Sequence, residues 1–437
     1  MDHAATFCTS DVTCLTMSTV NQTEALGKRH RMEATAQWEM LPSRRIPELD
    51  GLRGLAILLV ILDHYIASAS NARLGLWPHR ALSLFTVGWS GVDLFFVLSG
   101  FLIGGILLDA RGSPTYFRTF YMRRVFRILP VYYTWILLYA LTVGWVLWRS
   151  PGWLGVSLSS FKPALIQLLF LQNMQFGTQV LAWAWFGVTW SLAVEEQFYL
   201  IAPPLIRFLT ARRLFFFLVG TICAAPVLRV MVSRIWMPGT TAASFLMPCR
   251  ADALACGILL AMAWRSDSAR RFLKANAVLV RRIFMGLSAG VLALLWWLLH
   301  PSSLIGASIG YTWMALFYTC LLVLTLTQEG SWIAQAMRFP MLRRLGTISY
   351  CVYILHYAFN LLMHRLILHG SPEIFDAQGV GVTVLALTLT IGVASFSWRY
   401  FERPLIERGH TYLYWHAGKA APGTNAQSAG CYPAEGT

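Results

Sequence analysis

Ten stretches of about twenty mostly apolar residues run through this chain, at roughly 49–70, 87–108, 128–148, 185–206, 214–236, 245–264, 283–299, 308–327, 345–368 and 379–398. A helix needs about 20 such residues to cross the hydrocarbon of a bilayer. The spacing therefore predicts an all-α polytopic membrane helical bundle of about ten transmembrane helices. Composition agrees: 57% of the 437 residues are hydrophobic and 13% are charged, too few polar side chains to cover a soluble surface. Disorder, a collagenous or repeat fibre and an ordinary cytosolic enzyme are excluded. The eight Cys include no C-x-x-C and no Cys/His cluster with metal spacing, so no metal site is expected.

A further apolar piece, FKPALIQLLFL at 161–171, is too short to span and reads as interfacial or re-entrant. Charge supports that choice. With the N-terminus in the cytoplasm and ten alternating spans, most of the 35 Lys and Arg fall on the cytoplasmic side, as the positive-inside rule requires. An eleventh span would invert the rest and carry Arg270–Arg282 outside. Both termini are therefore expected in the cytoplasm, in a multi-pass protein of the inner or plasma membrane. The net charge of +15 needs no nucleic acid, because loop charges facing anionic lipid account for it. Residues 1–44 form a polar lead without the apolar core of a secretory signal, expected to be a disordered cytoplasmic segment, with Met17, Met32 and Met40 as alternative starts. The membrane domain is placed at 45–408 and a short cytoplasmic tail at 409–437.

Ionisable groups inside spans are costly and mark function by default. In LDGLRGLAILLVILDHYIASAS, Arg53 and His64 are eleven residues apart. Helical geometry puts them on one face, roughly 16 Å apart along the axis. A neutral imidazole is the side chain best suited to take a proton from an alcohol near pH 7. The alternative is a histidine bonded to a neighbouring helix and an arginine that only sets topology. In FYMRRVFRILP, Arg124 and Arg127 form an i, i+3 pair beside Arg123. Paired guanidiniums suit a polyphosphate, although positive-inside charge also explains them. TWSLAVEEQFYL places Glu195 and Glu196 on a membrane helix, where one at least must face a polar interior. Arg250 and Asp252 are read as a structural intramembrane pair, with Arg229 paired to an acid elsewhere. Asp93 and His356 are further polar points, and GVDLFFVLSGF is read mainly as a close-packing segment through Gly91, Ser99 and Gly100.

RIPELDGLRGLAILLVILDHY, GVDLFFVLSGFLI, FYMRRVFRILPVYY, TWSLAVEEQFYL, CRADALACG, LGTISYCVYILHY and WRYFERP follow one another in this order. Together they resemble acyltransferase family 3, the integral-membrane O-acyltransferases that include O-antigen acetylases and macrolide acyltransferases, from about Arg45 to Pro404. The resemblance implies activity residues at Arg53, His64, Arg124 and Arg127. It also implies a cytoplasmic acyl-CoA donor, acetyl-CoA as first choice, and a hydroxyl-bearing acceptor such as a glycan, glycolipid or glycosylated small molecule. Some members carry a fused extracytoplasmic hydrolase-like domain, and a stand-alone transferase is expected here. On this reading Arg124 and Arg127, with Arg53, hold the CoA phosphates and His64 deprotonates the acceptor. Glu195 or Glu196 either orients His64 or holds the acceptor. Asp63, beside His64 but about 100° around the helix, is not assigned as its partner. The rival readings are a transporter or flippase, against which no inverted repeat or matched broken helices are visible, and a non-catalytic scaffold, which needs no Arg and His on a shared face.

Overall fold

The computed structural model describes residues 46–70, 76–149, 158–174, 182, 185–238, 241–293, 306–328 and 330–415. The chain divides into two units, Met1–Ile46 and Pro47–Thr437. Apart from Ile46, the first unit, with the expected polar lead, lies outside the described residues, as does the tail beyond Trp415.

All regular structure among the described residues is helical. The long helices are α1 (Pro47–Leu62), α2 (Gly91–Asp109), α3 (Tyr116–Arg149), α4 (Trp190–Phe208), α5 (Ala211–Met231), α6 (Met247–Arg265), α7 (Ala277–Ala293), α8 (Tyr311–Thr327), α9 (Pro340–Ile367) and α10 (Ala377–Ser397). A short α11 (Arg403–Gly409) follows. Local chemistry sets several of their starts. The Thr210 and Asp376 side chains accept from Arg213 N and Gly379 N at the first turns of α5 and α10, satisfying amides that a helix leaves unpaired. Proline stands in the first turn of α6 and α9, where its missing N–H costs nothing.

The result is a polytopic membrane bundle. Among the described residues, seven helices are long and apolar enough to cross a bilayer, and an eighth span results if Asp267–Ala275 and α7, which meet at a 75° bend, count as one. These correspond to eight of the ten expected stretches; the last six residues of the stretch at 283–299 lie outside the described residues. The other two stretches also fold as helices. They are α1, with Glu48, Asp50 and Arg53, and α4, with Glu195, Glu196 and Arg207. Their charges separate them from an ordinary lipid-facing span. The apolar piece near 161–171 contains only a seven-residue helix, Lys162–Leu168. It is tied to α3 by Tyr132, whose hydroxyl donates to Gln167 Oε1 at 2.7 Å.

Small residues allow the central helices to touch backbone to backbone. A Cβ at Gly54 would overlap the Leu342 carbonyl of α9, and one at Gly346 would overlap the Asp50 carbonyl of α1. Gly100 of α2 and Gly257 of α6 stand in the same relation, each facing main chain of the other helix. Such contact substitutes for the hydrophobic drive that lipid does not supply. GVDLFFVLSGF thus packs closely, as its small residues suggest.

The buried ion pairs differ from the expected one. Arg250 does not pair with Asp252. Arg250 Nη2 binds Asp93 Oδ1 at 2.8 Å, across α6 and α2, and Arg229 Nη1 binds Asp252 Oδ2 at 3.0 Å, across α5 and α6. All four side chains are almost fully buried. The reason is geometric: residues two apart on a helix point to nearly opposite sides, so Arg250 and Asp252 each bond a different neighbour. Thr312 adds a hydroxyl to Asp252 Oδ2 at 2.6 Å, and Arg229 Nη1 also reaches Cys249 O. Asp93 is thus a charge partner as well as part of a packing segment.

Candidate active site

α1, α2, α3, α4 and α9 surround a cavity of about 840 Å³, part of it open to solvent. Its polar lining is concentrated. Arg53 comes from α1, Ser99 from α2, Arg124 and Arg127 from α3, Ser191, Glu195, Glu196 and Tyr199 from α4, and Ser349, Tyr350 and Tyr353 from α9. Apolar side chains, among them Phe95, Phe96, Leu98 and Ile103, complete the wall. Five of the six residues singled out from sequence therefore meet here: three arginines and two glutamates. Arg124 and Arg127 share a face because they are three apart on α3. Arg53 reaches the same space because glycine contacts draw α1 against α9.

The two glutamates differ. Glu195 is held at both oxygens: Ser99 Oγ donates to Oε1 at 2.6 Å and Tyr199 OH to Oε2 at 3.2 Å. Glu196 has no hydrogen-bond partner among the described residues and faces the same cavity. Arg124 lies with its guanidinium carbon 5.8 Å from the Tyr199 ring centre and 5.9 Å from that of Phe120, within cation–π range. Its Nε is buried and has no hydrogen-bond partner among the described residues. Arg53 faces Asp50 one turn earlier at 3.6 Å, too long for a tight hydrogen bond. Such guanidiniums retain capacity for an incoming anion.

His64 is not among the residues that line this cavity. It occupies the π-helical turn Asp63–Ala67 that continues α1, and it faces α9, whose Ser349, Tyr350 and Tyr353 share the cavity with Arg53. Its ring meets His356 edge to face at 5.0 Å between centroids and Tyr357 at 5.3 Å. Nδ1 lies 3.0 Å from Val60 O. A carbonyl only accepts, so this bond places the proton on Nδ1 and leaves the Nε2 lone pair as the basic site. The Asp63 carboxylate is 3.9 Å from Nδ1, outside hydrogen-bond distance. Neither Glu195 nor Glu196 bonds the imidazole, so in this geometry the ring is oriented by the main chain of its own helix.

His356 was visible in the sequence only as a polar point in an apolar run. Its ring is fully buried, its Nδ1 lies 2.8 Å from Tyr353 O, and its Nε2 is buried without a hydrogen-bond partner among the described residues. The Tyr353 ring is 5.7 Å away, and the Tyr353 hydroxyl shares a 2.6 Å hydrogen bond with Ser191. Tyr353, His356 and His64 thus form a row from the arginine-lined cavity to the imidazole. Tyr199, four residues after Glu195, was readable from helical spacing. Ser99 and Tyr353 had no local signal, because they belong to other helices.

Half-buried arginines and glutamates gathered around one cavity, with His64 and His356 in ring contact nearby, define a polytopic membrane protein with an anion-receptive interior site. Residues 46–399 match the family model described as an acyltransferase domain, and the chain belongs to that acyltransferase family. The relative YrhL of Bacillus subtilis (strain 168), named for peptidoglycan O-acetyl transfer, is 30% identical over 389 residues, covering 84% of this chain and 56% of the relative. The peptidoglycan O-acetyltransferase OatA of Listeria monocytogenes is 27% identical over 384 residues, covering 83% and 56%. The chain spans little more than half the length of these curated relatives. No solved structure gives a significant match.

Proposed function

We propose that this chain is a membrane O-acyltransferase that moves an acyl group, acetyl as first choice, from cytoplasmic acyl-CoA to a hydroxyl of a glycan or glycosylated acceptor. The observation that carries the reading is the convergence of Arg53, Arg124 and Arg127 on one cavity inside the acyltransferase-family region. The relatives' names point to a glycan hydroxyl as the acceptor class.

Arg124 and Arg127, with Arg53, take the donor's phosphates through charge-assisted bonds. The thioester arm then runs along the Tyr353–His356 row toward His64. His64 Nε2 accepts the hydroxyl proton as the acceptor oxygen attacks the thioester carbonyl. The C–S bond breaks, and the CoA thiolate leaves and takes up a proton. Glu195, clamped by Ser99 and Tyr199, is the fixed carboxyl of the arginine-lined cavity, while Glu196 remains open to donor or acceptor. Transfer within a ternary complex needs no further nucleophile. Ten spans, with α1 and α4 as the charged inner pair, put the arginine cavity at the cytoplasmic side of the inner or plasma membrane and both termini in the cytoplasm.

The test is CoA release from acetyl-CoA by purified protein, with and without peptidoglycan fragments or simple glycosides. Acceptor-dependent release with acetylated product supports the reading. Acceptor uptake into vesicles without CoA release favours a transporter.

A further inference from the structure

The residues after α11 fold back onto the first turns of α3. The hydroxyls of Thr115 and Thr119 both donate to Leu413 O at 2.9 Å, and Arg123 Nε donates to Tyr412 O at 2.9 Å. Trp415 N donates to Thr115 Oγ1 at 3.2 Å. The Arg123 guanidinium carbon lies 5.1 Å from the centre of the Tyr414 ring, and that of Arg118 lies 5.9 Å from Tyr412. Gly409 packs on Phe126. Thr115, Thr119 and Arg123 are spaced by four, so they form one stripe along the helix. The next member of that stripe is Arg127, about 6 Å further on, and Arg127 lines the cavity. The strap therefore ends one helical turn from the arginine pair.

Two polar groups there are unused. The Tyr414 hydroxyl and Arg124 Nε are both buried and have no hydrogen-bond partner among the described residues. A hydroxyl buried in this way costs stability unless something bonds it. Burial pushes the Tyr414 phenol up, with Arg123 and Arg124 pulling the other way, so it stands as a donor. Arg123 is committed to the strap by its bond to Tyr412 O.

We propose that the Tyr412–Trp415 strap is the outer part of the donor site and receives the phosphorylated nucleotide end of an acyl-CoA, with the Tyr414 hydroxyl donating to a phosphate oxygen. This rests on the acyl-CoA reading of the arginine cavity. The thioester end lies in the arginine-lined cavity, while the nucleotide stays at the strap, beside Arg124 and near the exposed Trp415 ring.

The experiment uses full-length Tyr414→Phe, which keeps the ring over Arg123 and removes only the hydroxyl. Steady-state transfer is measured with acetyl-CoA, and with adenosine 3′,5′-bisphosphate and 4′-phosphopantetheine as competing inhibitors. The expected result is a rise of about tenfold or more in KM for acetyl-CoA and in the inhibition constant of the nucleotide. The inhibition constant of phosphopantetheine and kcat should stay constant. A strap that serves only folding shifts all of these together or none of them, and either pattern overturns the proposal while leaving the arginine cavity as the CoA site. Wild-type protein that releases no CoA from acetyl-CoA with any acceptor overturns the acyl-CoA reading and this inference with it.

Discussion

Replacing His64 separates chemistry from folding, because the structure assigns the two ring nitrogens different tasks. Nδ1 is spent on Val60 O, and the ring packs edgewise on His356 and Tyr357. Nε2 alone is available to a substrate. His64→Ala loses one neutral hydrogen bond, worth about 0.5–1.5 kcal/mol, and ring contacts worth roughly 0.5–1.5 kcal/mol each. With 24% of the side chain accessible, the total loss of stability should be about 1–3 kcal/mol. The catalytic loss should be larger: removal of a positioned base lowers turnover by roughly 10²–10⁴, or about 2.7–5.5 kcal/mol of barrier. His64→Gln sharpens the contrast, since its amide can still hydrogen-bond the main chain but cannot accept a proton. Turnover per folded molecule, with folding followed by thermal unfolding in detergent, should collapse for both variants while acyl-CoA binding persists. Near-wild-type turnover by the Gln variant would refute the assignment and move attention to Glu196, the carboxyl that the cavity leaves open.

Further outcomes follow from other parts of the bundle. Arg124→Ala or Arg127→Ala should weaken acyl-CoA binding about tenfold to a hundredfold, and Lys should restore it only in part, because it lacks the bidentate fork; equilibrium binding to folded protein checks this. Gly346→Ala should destabilise by about 1–3 kcal/mol or more, since its Cβ would overlap the Asp50 carbonyl, and a thermal midpoint equal to wild type would show that α1 and α9 are not in backbone contact. Asp93→Asn should cost about 3–5 kcal/mol by leaving Arg250 buried without its counter-charge, measurable as lost folded yield. Reporter fusions after Lys419 and within 301–307 should report opposite sides of the membrane, and agreement between them would end the ten-span arrangement.

The apolar lengths and the low charge content were enough to determine a helical membrane bundle, because hydrocarbon tolerates little else over twenty residues. The ordered motifs, from the α1 segment to WRYFERP, were enough to identify the family. Helical period alone also made Arg124 and Arg127 neighbours, since a spacing of three is a local property. What the chain's linear order left open was partnership between helices. That Arg250 chooses Asp93 and leaves Asp252 to Arg229 depends on which helix faces which side of α6. The same holds for Glu195, clamped by a serine 96 residues away, and for His64 beside His356 and apart from the glutamates. The return of the 412–415 segment to α3 also depends on where two distant helix ends meet. Such contacts form because buried charge and unpaired donors must find partners once lipid replaces water around the bundle, and only the packing of the helices decides which partners lie within reach.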